Sequence, residues 1–95
     1  VVLKSAHTVI ASPNGKICIN TTGTSAMSKG GSGDSLTGVI TGLIAQGLKP
    51  FDSSCLGTYL NGKSGEIAEK KLSSYSVMAT DISDCICDAI NDILA

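Results

Sequence analysis

Residues 29–36 read Lys-Gly-Gly-Ser-Gly-Asp-Ser-Leu, a glycine-rich turn that runs directly into an apolar helical stripe. Leu36, Val39, Ile40, Leu43 and Ile44 recur at the spacing of one helix face, so the turn must deliver the chain into a helix N-terminus. The unpaired N–H groups of such a terminus converge on one spot, and the helix dipole adds positive potential there. Phosphate is the usual occupant. A carboxylate beside an anion site, here Asp34, is electrostatically odd unless it acts on something, for example by taking a proton from a hydroxyl that attacks the phosphate. The same pattern also makes an ordinary helix start, in which Asp34 is a favourable first-turn residue with no ligand.

Composition narrows the function classes. The chain has 95 residues, the size of one small domain or of a piece of a larger one. It is 42% hydrophobic but only 3% aromatic, so aliphatic side chains must build the core. The net charge of −1, with Lys and Arg unclustered, argues against a nucleic-acid surface, which needs a basic face. Phe51, Tyr59 and Tyr75 form no base-stacking pattern. The apolar stretches are short and interrupted, which predicts neither a membrane span nor a signal peptide. Cys18, Cys55, Cys85 and Cys87 are expected to be free thiols, with His7 the one imidazole and no zinc site. The reduced cysteines suggest a cytoplasmic protein, in which Asn20-Thr21-Thr22 is an inert sequon.

Along the chain, Val1-Val2-Leu3 is a β-branched run that begins at residue one, as if a sheet had been cut there. Val9-Ile10-Ala11 and Ile17-Cys18-Ile19 flank Ser12-Pro13-Asn14-Gly15-Lys16, strong turn chemistry that predicts a hairpin. Residues 21–31 should form a loop. Three helices are expected next. The first spans 32–46 and stops at Gly47. The second follows Pro50-Phe51 with Asp52 or Ser53 as N-cap and continues to residue 72. The third is capped by Thr80 and carries Ile82, Cys85, Ile86, Ala89, Ile90 and Ile93 at helical spacing. Strands confined to the first fifth do not balance these helices, which suggests part of a larger layered fold.

Gly57-Thr58-Tyr59-Leu60-Asn61-Gly62-Lys63-Ser64 satisfies the P-loop pattern G-x-x-x-x-G-K-[ST]. A working P-loop follows a buried strand, whereas the residues before Gly57 read as a helix start. The segment is therefore expected to be helical, with Lys63 solvated and Gly57, Gly62 and Gly65 allowing close packing.

The run from Gly23 through Gly38, with Met27 and Gly30-Gly31-Ser32-Gly33-Asp34, resembles the ADP/ATP-dependent NAD(P)H-hydrate dehydratases of the ribokinase-like superfamily. The likeness continues through residues 42–47, 56–62 and 75–82, and Leu3-Lys4-Ser5-Ala6-His7-Thr8-Val9-Ile10 resembles the family's lysine-containing nucleotide segment. It implies an α/β chain: residues 1–95 as the C-terminal portion, a fragment, of a single ribokinase-like three-layer catalytic domain. The implied activity is a hidden kinase reaction. ADP or ATP phosphorylates the hydroxyl of the hydrated nicotinamide ring, and loss of phosphate restores NADH or NADPH.

By the same resemblance Asp34 contacts the NAD(P)HX hydrate and acts as general base. Backbone N–H groups around Gly31, Ser32 and Gly33 stabilise the transferring phosphoryl, and Gly33 with Lys4, Ser5, Ala6, His7 and Thr8 binds the nucleotide. Lys4 offers a point charge and Thr8 a hydroxyl. His7 is either a nucleotide contact or a strand-end histidine without function. Mg²⁺ is compatible with phosphoryl transfer, and homo-oligomerisation is left open. Two departures stand out. Ser5 replaces the family's usual glycine, which weakens nucleotide affinity if the backbone must approach closely there. Ser35 replaces a small aliphatic residue, with little effect expected. The family's hydrate pocket draws on an earlier part of the domain, so the isolated chain is expected to bind nucleotide weakly and turn over nothing. Two other readings remain: a related vitamin-precursor or sugar kinase sharing the G-x-G-D turn, and a non-catalytic nucleotide-binding or assembly fragment.

Overall fold

A computed structural model describes residues 1–4, 7–23, 32–73 and 77–94 of the chain. Three short antiparallel strands come first: β1 (Val2–Leu3), β2 (Val9–Ala11) and β3 (Ile17–Ile19), in the order β1-β2-β3. Cross-strand partners Val2, Ile10 and Cys18 share one face, and Ile10 at its centre is 1% exposed. That face lies toward the helices. The other face carries Leu3, Ile17 and Ile19, which are 64%, 68% and 61% exposed, as the two-residue alternation of a strand requires. The expected hairpin is present. Gly15 adopts φ +92°, its N–H reaches the Ser12 carbonyl at 3.1 Å, and Asn14 Oδ1 accepts from the Ser12 hydroxyl and from Lys16 N–H.

Helix α1 (Ser32–Ala45) ends as its glycine predicts. Gly47 sits at φ +102°, its N–H bonds the Ile44 carbonyl at 3.0 Å, and Leu48 N–H bonds Leu43 at 3.3 Å, the paired bonds of a Schellman cap. Helix α2 (Pro50–Lys71) begins earlier than expected. Its N-cap is Lys49, not Asp52 or Ser53, because Pro50 fits the first helical position, where its missing N–H costs nothing. Asp52 falls inside the first turn instead. Residues 57–64 lie wholly within α2, so their backbone N–H groups serve the helix and are unavailable to wrap a phosphate.

Small residues let α2 run through the middle of the molecule. A Cβ on Gly57 would stand 2.8 Å from Ile40 Cγ1 of α1, and one on Gly62 would stand 2.7 Å from Thr22 Cβ. The buried hydroxyls of Thr58 and Ser64 are satisfied by carbonyls four residues back, at 2.7 and 2.9 Å.

The expected third helix is two helices, α3 (Ala79–Asp84) and α4 (Ile86–Leu94). Cys85 leaves the helical region at φ −91°, ψ 2°, while its N–H still reaches the Asp81 and Ile82 carbonyls. Met78, not Thr80, is the N-cap: Asp81 Oδ2 accepts Met78 N–H at 2.8 Å, which places the helix start two residues earlier. Val77, Ile82, Cys85 and Ala68 form a buried cluster with Ile67 against it. Ile90 and Ile93 remain 38% and 48% exposed, so only part of the predicted stripe is covered. All four cysteines are free thiols. No helix among the described residues is long and apolar enough to cross a membrane.

Candidate functional site

Gly33 and Asp34 occupy the first turn of α1, where N–H groups lack helical partners. Asp34 is exposed there, and a carboxylate at this end is favoured by the dipole. Lys4, just beyond β1, reaches the same point. The Lys4 ammonium lies close over Gly33, where a Cβ would stand 3.3 Å from Nζ. A cation at the positive end of a helix is the reverse of the stabilising arrangement. An anion between them would reconcile the two.

Beside this pair lies an open cavity of about 250 Å³. Val2 and Lys4 line it from the sheet side, and Gly33, Leu36, Thr37, Ile40 and Thr41 line it from α1. The Thr37 hydroxyl donates to the Gly33 carbonyl at 3.0 Å.

The other residues singled out from sequence are placed as follows. His7 is exposed and Thr8 half-buried at the entry to β2, where the Thr8 carbonyl accepts Asn20 N–H at 2.8 Å. Ser32 opens α1. Ser5, Ala6 and Gly31 lie outside the described residues. Lys4 thus meets Gly33, with Asp34 next in the same turn, and the strand that precedes Lys4 is paired with the strand that Thr8 enters.

Sequence reasoning missed the polar scaffold behind the turn. Asn20 and Thr22 donate to the Thr58 and Tyr59 carbonyls at 3.5 and 3.1 Å, using acceptor capacity that helical bonding leaves over. Gly23 N–H donates to Glu66 Oε2 at 2.9 Å, and Lys63 lies 3.6 Å from the other oxygen of that carboxylate. Ser35 joins α1 to Asn61 of α2 and Ser83 of α3. Small or polar residues at 57, 61, 64 and 68, spaced for one helix face, were the available sign that α2 buries a polar stripe.

Comparison with known proteins places these features. The family profile described as NAD(P)H-hydrate dehydratase matches residues 1–88. A bifunctional NAD(P)H-hydrate repair enzyme of Moorella thermoacetica is 49% identical over 82 residues, 86% of this chain and 16% of that one. An ADP-dependent (S)-NAD(P)H-hydrate dehydratase of Bacillus subtilis is 37% identical over 86 residues, 90% of this chain and 31% of that one. The crystal structure of the Bacillus subtilis ADP/ATP-dependent NAD(P)H-hydrate dehydratase, co-crystallised with ATP/Mg²⁺ and soaked with CoA, is similar at TM-score 0.90 and 35% identity. That match covers 96% of this chain and 34% of the other. The chain therefore spans from about a sixth to about a third of these relatives.

Proposed function

The chain belongs to the NAD(P)H-hydrate dehydratase family, and from that premise we propose that residues 1–95 are the C-terminal portion of a single ribokinase-like catalytic domain that repairs NAD(P)H hydrate. In this reading the substrates are NAD(P)HX and ADP or ATP, and the setting is the cytoplasm. The observation that carries it is the meeting of Lys4 Nζ with Gly33 at the positive end of α1, 3.3 Å from where a Cβ would stand. Two positive features converge there, with an exposed carboxylate in the same helical turn.

The chemistry divides into two steps. The hydrate hydroxyl gives its proton to the Asp34 carboxylate while its oxygen bonds the terminal phosphorus. The bond from that phosphorus to the bridging oxygen breaks, releasing AMP from ADP or ADP from ATP. N–H groups of Gly31, Ser32 and Gly33 hold the charge on the transferring oxygens, and Lys4 adds its own charge. The carbon–oxygen bond then breaks, phosphate leaves, and a proton from the neighbouring ring carbon departs to restore the double bond. Ser5, Ala6, His7 and Thr8 complete the nucleotide segment in this reading.

Mg²⁺ takes oxygen ligands, keeps several waters and is commonly held by one or two carboxylates plus substrate phosphates. Among the described residues no group of three or more His, Cys, Asp or Glu is arranged to hold a metal. With Asp34 serving as the base in this reading, the ion would enter with the nucleotide phosphates and its own waters. Bound there, the ion would supply charge neutralisation on the phosphoryl oxygens.

Asp34→Asn in the full-length protein is the decisive variant. ADP- or ATP-dependent return of NADH absorbance from NADHX should fall by about 10²–10⁴-fold, the usual share of a general base. Nucleotide affinity, read by calorimetry, should persist. Unchanged turnover removes Asp34 as the base. The isolated 95-residue chain should dehydrate nothing, and nucleotide-dependent dehydration by it alone would overturn that expectation.

A further inference from the structure

Asp34 stands in the part of a helix most prone to fray, because the first four N–H groups have no helical partner. The neighbouring residue ties that turn down. Ser35 Oγ donates to Asn61 Oδ1 of α2 at 3.2 Å and lies 2.9 Å from Ser83 Oγ of α3. A serine hydroxyl has one hydrogen and two acceptor sites. In the second contact either hydroxyl can serve as the donor. Three helices therefore meet at one oxygen, one residue along from the carboxylate. Asn61 is only 5% exposed, so water is a poor substitute for the partner it has in Ser35.

We propose that Ser35 is a positioning residue, which fixes the aim of the Asp34 carboxylate by pinning the first turn of α1 to α2 and α3. The proposal rests on the reading of Asp34 as general base. Proton transfer needs the carboxylate within hydrogen-bond reach of the hydroxyl, and a displacement of about 1 Å costs on the order of 10²-fold.

The test uses the full-length protein with ADP or ATP and NADHX, comparing Ser35→Ala, Ser35→Thr, Ser83→Ala and Asp34→Asn. Ser35→Ala should lower kcat by on the order of 10-fold and leave the nucleotide KM within about 3-fold, the pattern of lost transition-state alignment. Ser35→Thr keeps the hydroxyl and should restore most of kcat. Ser83→Ala removes one of the two bonds at an exposed position and should give a smaller fall, about 3-fold, which also serves if Ser35→Ala does not fold. Wild-type kcat in Ser35→Ala, whatever its melting temperature, overturns the proposal, as does a loss that Ser35→Thr fails to restore. If Asp34→Asn is inactive while Ser35→Ala is fully active, the positioning role falls and the dehydratase reading stands. Undiminished turnover in Asp34→Asn, or no turnover by the wild type, removes both.

Discussion

Cys55 and Cys87 show how far one thiol can differ from another in the same small chain. Cys87 is exposed near the start of α4, whereas Cys55 lies half-buried in α2 beside Cys18 of β3. Burial, the hydrogen-bonded Cys18 thiol and the Asp52 charge disfavour the Cys55 thiolate and push its pKa up to about 11. Cys85 is also pushed up, chiefly by burial. Since the thiolate is the nucleophile, iodoacetamide at about pH 8 should modify Cys87 first and Cys55 far more slowly. Peptide mapping by mass spectrometry reads the order, and equal rates would contradict this account. The sign for stability follows. Between pH 9.0 and about 11 the folded chain keeps a proton that the unfolded chain has lost, so Cys55 makes stability fall with rising pH in that window. At the same scale, Ser53 Oγ is buried without a hydrogen-bond partner among the described residues, and Ser53→Ala should raise stability by about 1 kcal/mol in thermal melts. A loss of stability would mean that the hydroxyl is satisfied after all.

At the scale of elements, the informative substitutions are at glycines that admit a neighbour. Gly62→Ala gains about 1 kcal/mol of helix propensity, but its Cβ would press on Thr22, including the carbonyl carbon at 2.8 Å. That neighbour includes backbone, so the net effect should be a loss of about 1–3 kcal/mol, the range of overpacked cores. Gly57→Ala meets mainly the Ile40 side chain and should cost less. Chemical denaturation of the two variants gives the comparison, and the reverse order would overturn it. The end of α1 was readable from Gly47, because a left-handed residue after an apolar stripe has few other uses. The starts of α2 and α3 were not. Pro50 could equally end a turn or open a helix, and Met78 caps α3 through the Asp81 carboxylate rather than through its own chemistry. The split at Cys85 was equally hidden, since the apolar residues 82, 85, 86 and 89 keep helical spacing across the break.

For the molecule as a whole, the burial of Ile82 at 0% exposure among Ala68, Val77 and Cys85 makes it a keystone between α2 and the last two helices. Ile82→Ala should cost about 2–5 kcal/mol, measured by urea unfolding, because a filled site becomes a cavity. A cost below about 1 kcal/mol would show that the cluster can collapse around the gap. The sequence alone determined the hairpin, the helix that follows the glycine-rich turn, the helical nature of the P-loop look-alike at 57–64 and the family resemblance. Each depends on contacts between residues close along the chain, or on a motif whose spacing is itself the information. Tertiary structure alone decided that Lys4 reaches Gly33, that Thr22 fills the space above Gly62, and that Ser35, Asn61 and Ser83 meet at one oxygen. Those partners are separated by 26 to 48 residues in two of the pairs, and no local propensity encodes a distance across the fold. Packing α1 against α2 set those distances, and with them the direction in which the first turn of α1 is held.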